Sequence, residues 1–269
     1  MIRTVQGRTL GIVLGLALMS QAKAHDIWIE ASSAVCKVGQ EMKLSLMLGN
    51  HGNHHRDFAL RDRIPAGRQQ LLVLSPDGSR NDLTSKLQET MLESKTSYWS
   101  TGFAASKAGG YQLVSTFDQV MSYAPVRDIK CAKSFLFVKD GSSRSSRKLP
   151  KNLSQVGSPF ELVPVSDPFE SALVGSTFKV QLLFKGKPMR DAVVSFIPKG
   201  VELKGDLDPA FEFKTDGSGI AGKAFDRSGQ WLIVAHFKDS TAKGTGYDSI
   251  GYSATIHLIV AEKPVTAKR

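Results

Sequence analysis

The feature that most constrains this chain is the period of its apolar residues. Short runs rich in Val, Ile, Leu, Phe and Tyr recur between clusters of Gly, Pro, Asn, Asp and Ser, and the 3.6-residue period of an amphipathic helix is nearly absent. Ten runs read as strands: IWIEA from Ile27, MKLSLML from Met42, QQLLVLSP from Gln69, YQLVSTF from Tyr111, SFLFVK from Ser134, TFKVQLLF from Thr177, DAVVSFIP from Asp191, FEFKT from Phe211, WLIVAHF from Trp231 and ATIHLIV from Ala254. Only Asp82 to Glu93 leaves room for a helical turn or two. Strands at this spacing, with no long helices between them, predict an all-β chain of antiparallel sandwiches. With 41% hydrophobic residues, no regular glycine period and 2 Cys in 269 residues, the chain is neither disordered, collagenous nor a disulfide scaffold.

The first 24 residues stand outside that pattern. Arg3 and Arg8 precede an uncharged apolar run from Leu10 to Met19, and Ala22-Lys23-Ala24 supplies the small residues of a cleavage site. This reads as a secretory signal peptide. The run is too short for a hydrocarbon core, which takes about 20 apolar residues, so the processed chain is not expected to span a membrane. Neither cysteine lies near the cleavage site, which argues against a lipid-anchored start.

Cleavage after Ala24 removes three cations and no acid, taking the formal charge from +10 to +7. Much of the excess lies in KDGSSRSSRKLPK, Lys139 to Lys151, five bases and one acid among Gly, Ser and Pro. No aromatic residues are interleaved there for base stacking, so the stretch reads as a solvated linker and no nucleic-acid partner is expected. It is also the sharpest shift in composition. The expected organisation is a signal peptide at 1–24, an N-terminal sandwich at 25–140, a basic Gly/Ser linker at 141–155, a C-terminal sandwich at 156–263 and a tail at 264–269. Both domains are expected to be immunoglobulin-like or transthyretin-like.

Cys36 and Cys131 are an even pair in an exported chain, each in a strand-like segment. A single disulfide tying the start of the first domain to its last strand is the expectation, with two buried thiols as the alternative. A weak internal echo suggests related units: Tyr111-Gln-Leu-Val-Ser-Thr116-Phe117 parallels Trp231-Leu-Ile-Val-Ala-His236-Phe237. In the second half, LLFKGKPMRDAVVSF and FKTDGSGIAGKAF each read as strand, tight turn and returning strand, and FDRSGQWLIVAHF adds a further Gly-containing turn.

The residues that could carry chemistry are histidines. Cleavage after Ala24 makes His25 the first residue, and a free α-amine beside an imidazole closes a bidentate chelate on a divalent metal. Gly49-Asn50-His51-Gly52-Asn53-His54-His55-Arg56-Asp57 holds three of the six histidines in one loop after a strand. Imidazole suits zinc, copper, nickel and iron. His236 ends an apolar strand, where a polar group is costly unless hydrogen-bonded or ligated. His257 alternates with Ile256 and Leu258 and is expected to face solvent. The amino-terminal tripeptide type of copper or nickel site is excluded, since it needs His where this chain has Ile27. No G-x-S-x-G elbow, H-E-x-x-H helix or phosphate-binding Gly loop is present, so catalysis is not expected. Asp216-Gly217-Ser218-Gly219 reads as a hairpin turn, lacking the other ligands of a calcium loop.

Several motifs, taken in order, resemble a known family. The processed start AHDIWIE, the G-x-H-G loop, GSPFELVPVSDP, GKPMRDAVVSF, TDGSGIAGKAF, GQWLIVAHF and GYSATIHL are similar to bacterial periplasmic proteins associated with nickel or cobalt uptake, also catalogued as a domain of unknown function. The resemblance covers nearly the whole processed chain. It implies a periplasmic two-part β protein near a membrane metal-transport system, and it points to His25, His51 and His236, with His54 and His55 as extra histidines. Nickel or cobalt is then the favoured metal; copper, intrinsically the strongest binder of nitrogen sites, also fits. Two other functions stay open on the residues alone: a non-catalytic adhesion or assembly module, and a copper-dependent oxidative enzyme using the same amino-terminal chelate.

Overall fold

A computed structural model describes residues 25–49, 64–65, 67–93, 96–140, 155–205 and 207–263. Seventeen strands form three sheets: β1 (Asp26–Ala31), β2 (Val35–Lys37), β3 (Glu41–Gly49), β4 (Gln69–Leu74), β5 (Arg80–Asp82), β6 (Gln88–Glu93), β7 (Thr96–Ala104), β8 (Gly109–Val120), β9 (Val126–Lys139), β10 (Phe160–Pro164), β11 (Thr177–Phe184), β12 (Lys187–Pro188), β13 (Val193–Pro198), β14 (Glu212–Lys214), β15 (Ile220–Ala224), β16 (Gly229–Asp239) and β17 (Ser249–Val260). The helical content among the described residues is a 3-10 turn at Thr84–Lys86 and one α-helical turn, α1 (Pro168–Ser171), capped by the Asp167 carboxylate accepting from Phe169 N. No helix of the described residues is long and apolar enough to cross a membrane.

One nine-stranded sheet runs through both halves of the chain in the order β14-β13-β16-β17-β9-β8-β4-β5, with β2 added to β9. Its seam is the parallel pair β9–β17, in register from Ser249↔Val126 to His257↔Ser134. Beyond that point β2 takes over the same edge of β9, pairing Val35↔Phe137 and Cys36↔Val138. The two smaller sheets, β1-β3-β7-β6 and β10-β11-β12 with β15 on β11, close two antiparallel sandwiches against it.

Those sandwiches sit on opposite faces of the shared sheet. On β9, Ala132, Leu136 and Val138 belong to the first core, with Ile27, Ile29, Leu44, Trp99 and Phe117. Ile129 and Phe135, on the other face of the strand, belong to the second, with Phe160, Phe178, Phe196, Trp231 and Ile256. Side chains alternate along a strand, so β9 serves both cores at once, and Ile129 to Val138 is buried without interruption. That is why CAKSFLFV reads as a continuous run rather than an alternating one. The basic segment expected to separate the halves lies, except for Gln155, outside the described residues.

The internal echo corresponds to a structural equivalence. Hairpins β8–β9 and β16–β17 flank the seam, and a half-turn about an axis along it exchanges them. Tyr111 faces Leu136 and Trp231 faces Leu258; Thr116 faces Cys131 and His236 faces Ser253. The polar tip of each leading aromatic donates to the carbonyl four residues earlier, Tyr111 Oη to Lys107 O at 2.8 Å and Trp231 Nε1 to Arg227 O at 3.1 Å.

Several expectations need correction. Thr84–Lys86 holds a 3-10 turn, but Gln88–Glu93 in the same stretch is a strand. FKTDGSGIAGKAF is not a hairpin: β14 joins β13 in the shared sheet, while β15 joins β11 in the small one, so the Asp-Gly turn carries the chain from one layer to the other. LLFKGKPMRDAVVSF is likewise not one hairpin: a type I′ turn on Lys185 and Gly186, both at positive φ (51° and 75°), leads only to the two residues of β12, and VVSF belongs to β13 in the shared sheet. Cys36 and Cys131 are free, buried thiols. Cys36 lies opposite Val138, seven residues along β9 from Cys131, about 23 Å at a strand's rise of ~3.3 Å per residue. A bridge needs Cα atoms within about 7 Å. His257 is buried, 1% exposed, because β17 is covered on both faces.

Candidate functional site

The candidate site forms where β1 begins to cross the shared sheet. In β1, Ile27, Ile29 and Ala31 enter the first core. Trp28, on the opposite side of the strand, is fully buried with Met47, Ile197, Leu232 and Val234, a cluster that fastens the first sandwich to strands of the second. Thr255 Oγ1 adds a hydrogen bond to Ile27 O at 2.8 Å. Asp26, 6% exposed, lies on the same side as Trp28, and His236 lies on the same side of β16 as Leu232 and Val234.

The two polar residues meet: His236 Nε2 is 2.7 Å from Asp26 Oδ1. The His236 side chain remains 40% exposed. Burial works against a charged ring, but the Asp26 carboxylate outweighs it by charge and hydrogen bond, with Glu212 adding and Lys130 opposing, and His236 is held above its ordinary value. Glu212 is fixed by Ser195 Oγ at 2.9 Å and by the amide of Asp208 at 2.6 Å.

His25 is exposed and immediately precedes Asp26. Its carbonyl accepts from Lys130 Nζ at 3.2 Å, and Lys130 Nζ lies 3.6 Å from Asp128 Oδ2. Across the sheet His236, Ser253 and Lys130 form one row on one face. Ser253 Oγ, between the His236 and Lys130 side chains, is buried and meets no hydrogen-bond partner among the described residues. Sequence reasoning did not reach Asp26, Lys130 or Ser253; only Asp26 carried a signal, as the neighbour of His25.

His51, His54 and His55 lie outside the described residues. Their segment follows Gly49, the last residue of β3, which faces Asp26 directly in the β1–β3 ladder. The structure thus brings Asp26, beside His25, against His236. Among the described residues no group of three or more His, Cys, Asp or Glu is clustered as a metal site. Cys36 and Cys131 take no part, and burial pushes both thiols up.

Comparison with known proteins adds the following. No curated protein matches the chain. Among solved structures it is similar to the D0–D1 domain of Intimin (13% identity, 88% of this chain and 100% of that one, TM-score 0.24). It is also similar to the ectodomain of mouse nectin-like molecule 4 (12%, 90% and 66%, TM-score 0.23) and to the Escherichia coli adhesin FdeC (13%, 85% and 63%, TM-score 0.24). These overlaps are shallow, and the sandwich assignment stands on the strand pairing itself. A family profile described as a domain of unknown function matches residues 22–239, a span that takes in His25, the histidine loop and His236 but names no metal and no activity; the chain belongs to that family, DUF4198.

Proposed function

We propose that this is an exported protein that binds a divalent transition metal, nickel or cobalt by preference with copper also accommodated, and holds it for a membrane uptake system in the periplasm. The observation that carries the reading is the contact of His236 with Asp26, the residue next to His25. A carboxylate on one ring nitrogen orients an imidazole and leaves the other nitrogen for a ligand, the usual arrangement around metal-bound histidine. The ligands in this reading are the amine and ring of His25, His236, and His51, which follows Gly49 by two residues in the sequence; His54 and His55 supply further imidazoles.

Metal binding must displace a proton from the amine, so affinity falls as pH drops from about 8 to 6. The test is calorimetric titration of the processed protein with Ni²⁺ and Cu²⁺, beside a form that retains Ala24. The processed form binds more tightly; equal affinities would remove the chelating amine from the reading.

A second reading, a non-catalytic binding or assembly module, is favoured by a specific observation. The contacts of His236 with Asp26, Lys130 with His25 O, and Thr255 with Ile27 O all bind β1 to the shared sheet, work that a rigid tandem sandwich needs without any metal. In that case Ni²⁺ and Cu²⁺ bind no better to the processed form than to a His236→Gln variant.

A further inference from the structure

On the face of the shared sheet opposite β1, the two sandwiches leave a cleft of about 330 Å³. Its floor is made by Leu72 and Leu74 of β4, Val114 of β8 and Ile129 of β9, and its far wall by Val156 to Pro159, the segment leading into β10. Leu72, Leu74, Val114 and Val156 form a small apolar cluster distinct from the two main cores. The wall is held rigidly. Val156 N and Gly157 N donate to Glu161 at 3.0 and 3.1 Å, and Glu161 is ion-paired at 2.7 Å with Lys133, both side chains 1% exposed.

The polar groups on the rim differ in what they are already doing. Asp118 is taken by a two-pronged ion pair with Arg127, at 2.6 Å to each oxygen. Gln70 reaches Asp82 at 3.4 Å and accepts from Thr116 at 3.5 Å. Arg80 is the exception. It faces Leu74 across the β4–β5 ladder and lines the cleft, yet its guanidinium makes no ion pair or side-chain hydrogen bond among the described residues. A guanidinium presents a planar fork of donors matched to a carboxylate. Clefts at domain junctions with an apolar floor and a few polar groups are the usual setting for small ligands, and this volume is at the lower end of the common range of about 300–1,000 Å³.

We infer that this cleft is a second ligand site, for a small aliphatic monocarboxylate whose chain lies on Leu72, Leu74, Val114 and Val156 and whose carboxylate pairs with Arg80. The site is on the other face of the sheet from His236 and does not depend on metal. Lys130, the other cation lining the cleft, is engaged by Asp128 and the carbonyl of His25, so among the described residues the apolar floor and Arg80 together select the ligand: an inorganic anion lacks the chain, and an uncharged alkyl chain lacks the partner for Arg80.

The test is calorimetric titration of the full processed chain with octanoate, acetate and octanol, with and without Arg80→Gln. Octanoate binds saturably at one site, acetate does not, octanol binds at least tenfold more weakly, and Arg80→Gln weakens octanoate at least tenfold. A Leu72→Gln variant weakens octanoate while leaving the melting temperature nearly unchanged, since Leu72 is only half-buried. Equal binding of octanoate and octanol, or no effect of either substitution, would each overturn the inference.

Discussion

Replacing Lys133 by Met should cost far more than its single ion pair suggests. Lys133 Nζ lies 2.7 Å from Glu161 Oε2 and 2.9 Å from Leu162 O, and both charged side chains are 1% exposed. The methionine fills nearly the same volume, so the loss is electrostatic rather than a cavity. Glu161 keeps the amides of Val156 and Gly157 but becomes an uncompensated buried carboxylate. Stranding one member of a buried pair costs about 3–5 kcal/mol, against at most about 1 kcal/mol for an exposed pair such as Arg127–Asp118. At about 2–4 °C per kcal/mol for a protein of this size, the melting temperature falls by about 6–20 °C at pH 7. Adding Glu161→Leu recovers most of the loss, because no charge is then left buried. Calorimetric melting of the parent, the single and the double variant at pH 7 tests this; a loss under about 1 kcal/mol, or a double variant as unstable as the single one, would refute it.

Two further outcomes follow from the side chains. Because Asp26 holds His236 above its ordinary value, the metal-free pair stabilises the fold fully below pH about 6.5, where an unfolded histidine is also charged, and loses that contribution as pH rises through the higher folded value. The melting-temperature gap between the parent and His236→Gln in chelator should narrow from pH 6 upward, a gap worth about 1 kcal/mol or less for a half-exposed pair; a gap that widens with pH would contradict the sign. Cys36 and Cys131 should resist alkylation in the native protein and both react in denaturant without reductant, read by mass; two unreactive sulfurs in denaturant would mean they are bridged.

All ten runs picked out in the sequence fall within or overlap strands, because each is a short run rich in large apolar residues bounded by turn residues. The strand TSYWSTGFA escaped notice, since only Trp99 and Phe103 of its inward face are large and apolar. Turns were legible, but the layer receiving the next strand was not: nothing in DGSGIAGKAF says that β15 pairs with β11 rather than β14. The cysteines failed for a related reason, as each strand was placed correctly while the seven-residue offset between them is set by long-range register. His257 was misjudged because alternation implies one wet face only when a sheet is covered on one side. At the site, His25 and His236 stood out by residue type, whereas the Asp26–His236 contact spans 210 positions and depends on how the two sandwiches share a sheet.

That sharing also settles what each half would be worth alone. Severing the polypeptide in the basic segment and separating the fragments would leave nine consecutive positions of β9, and the matching nine of β17, without a neighbour on one side, the amide and carbonyl groups of alternate residues unmated along a straight rim. Bared rims of that length recruit neighbouring molecules. The halves are mutual edge guards, each keeping the other from becoming a template for aggregation.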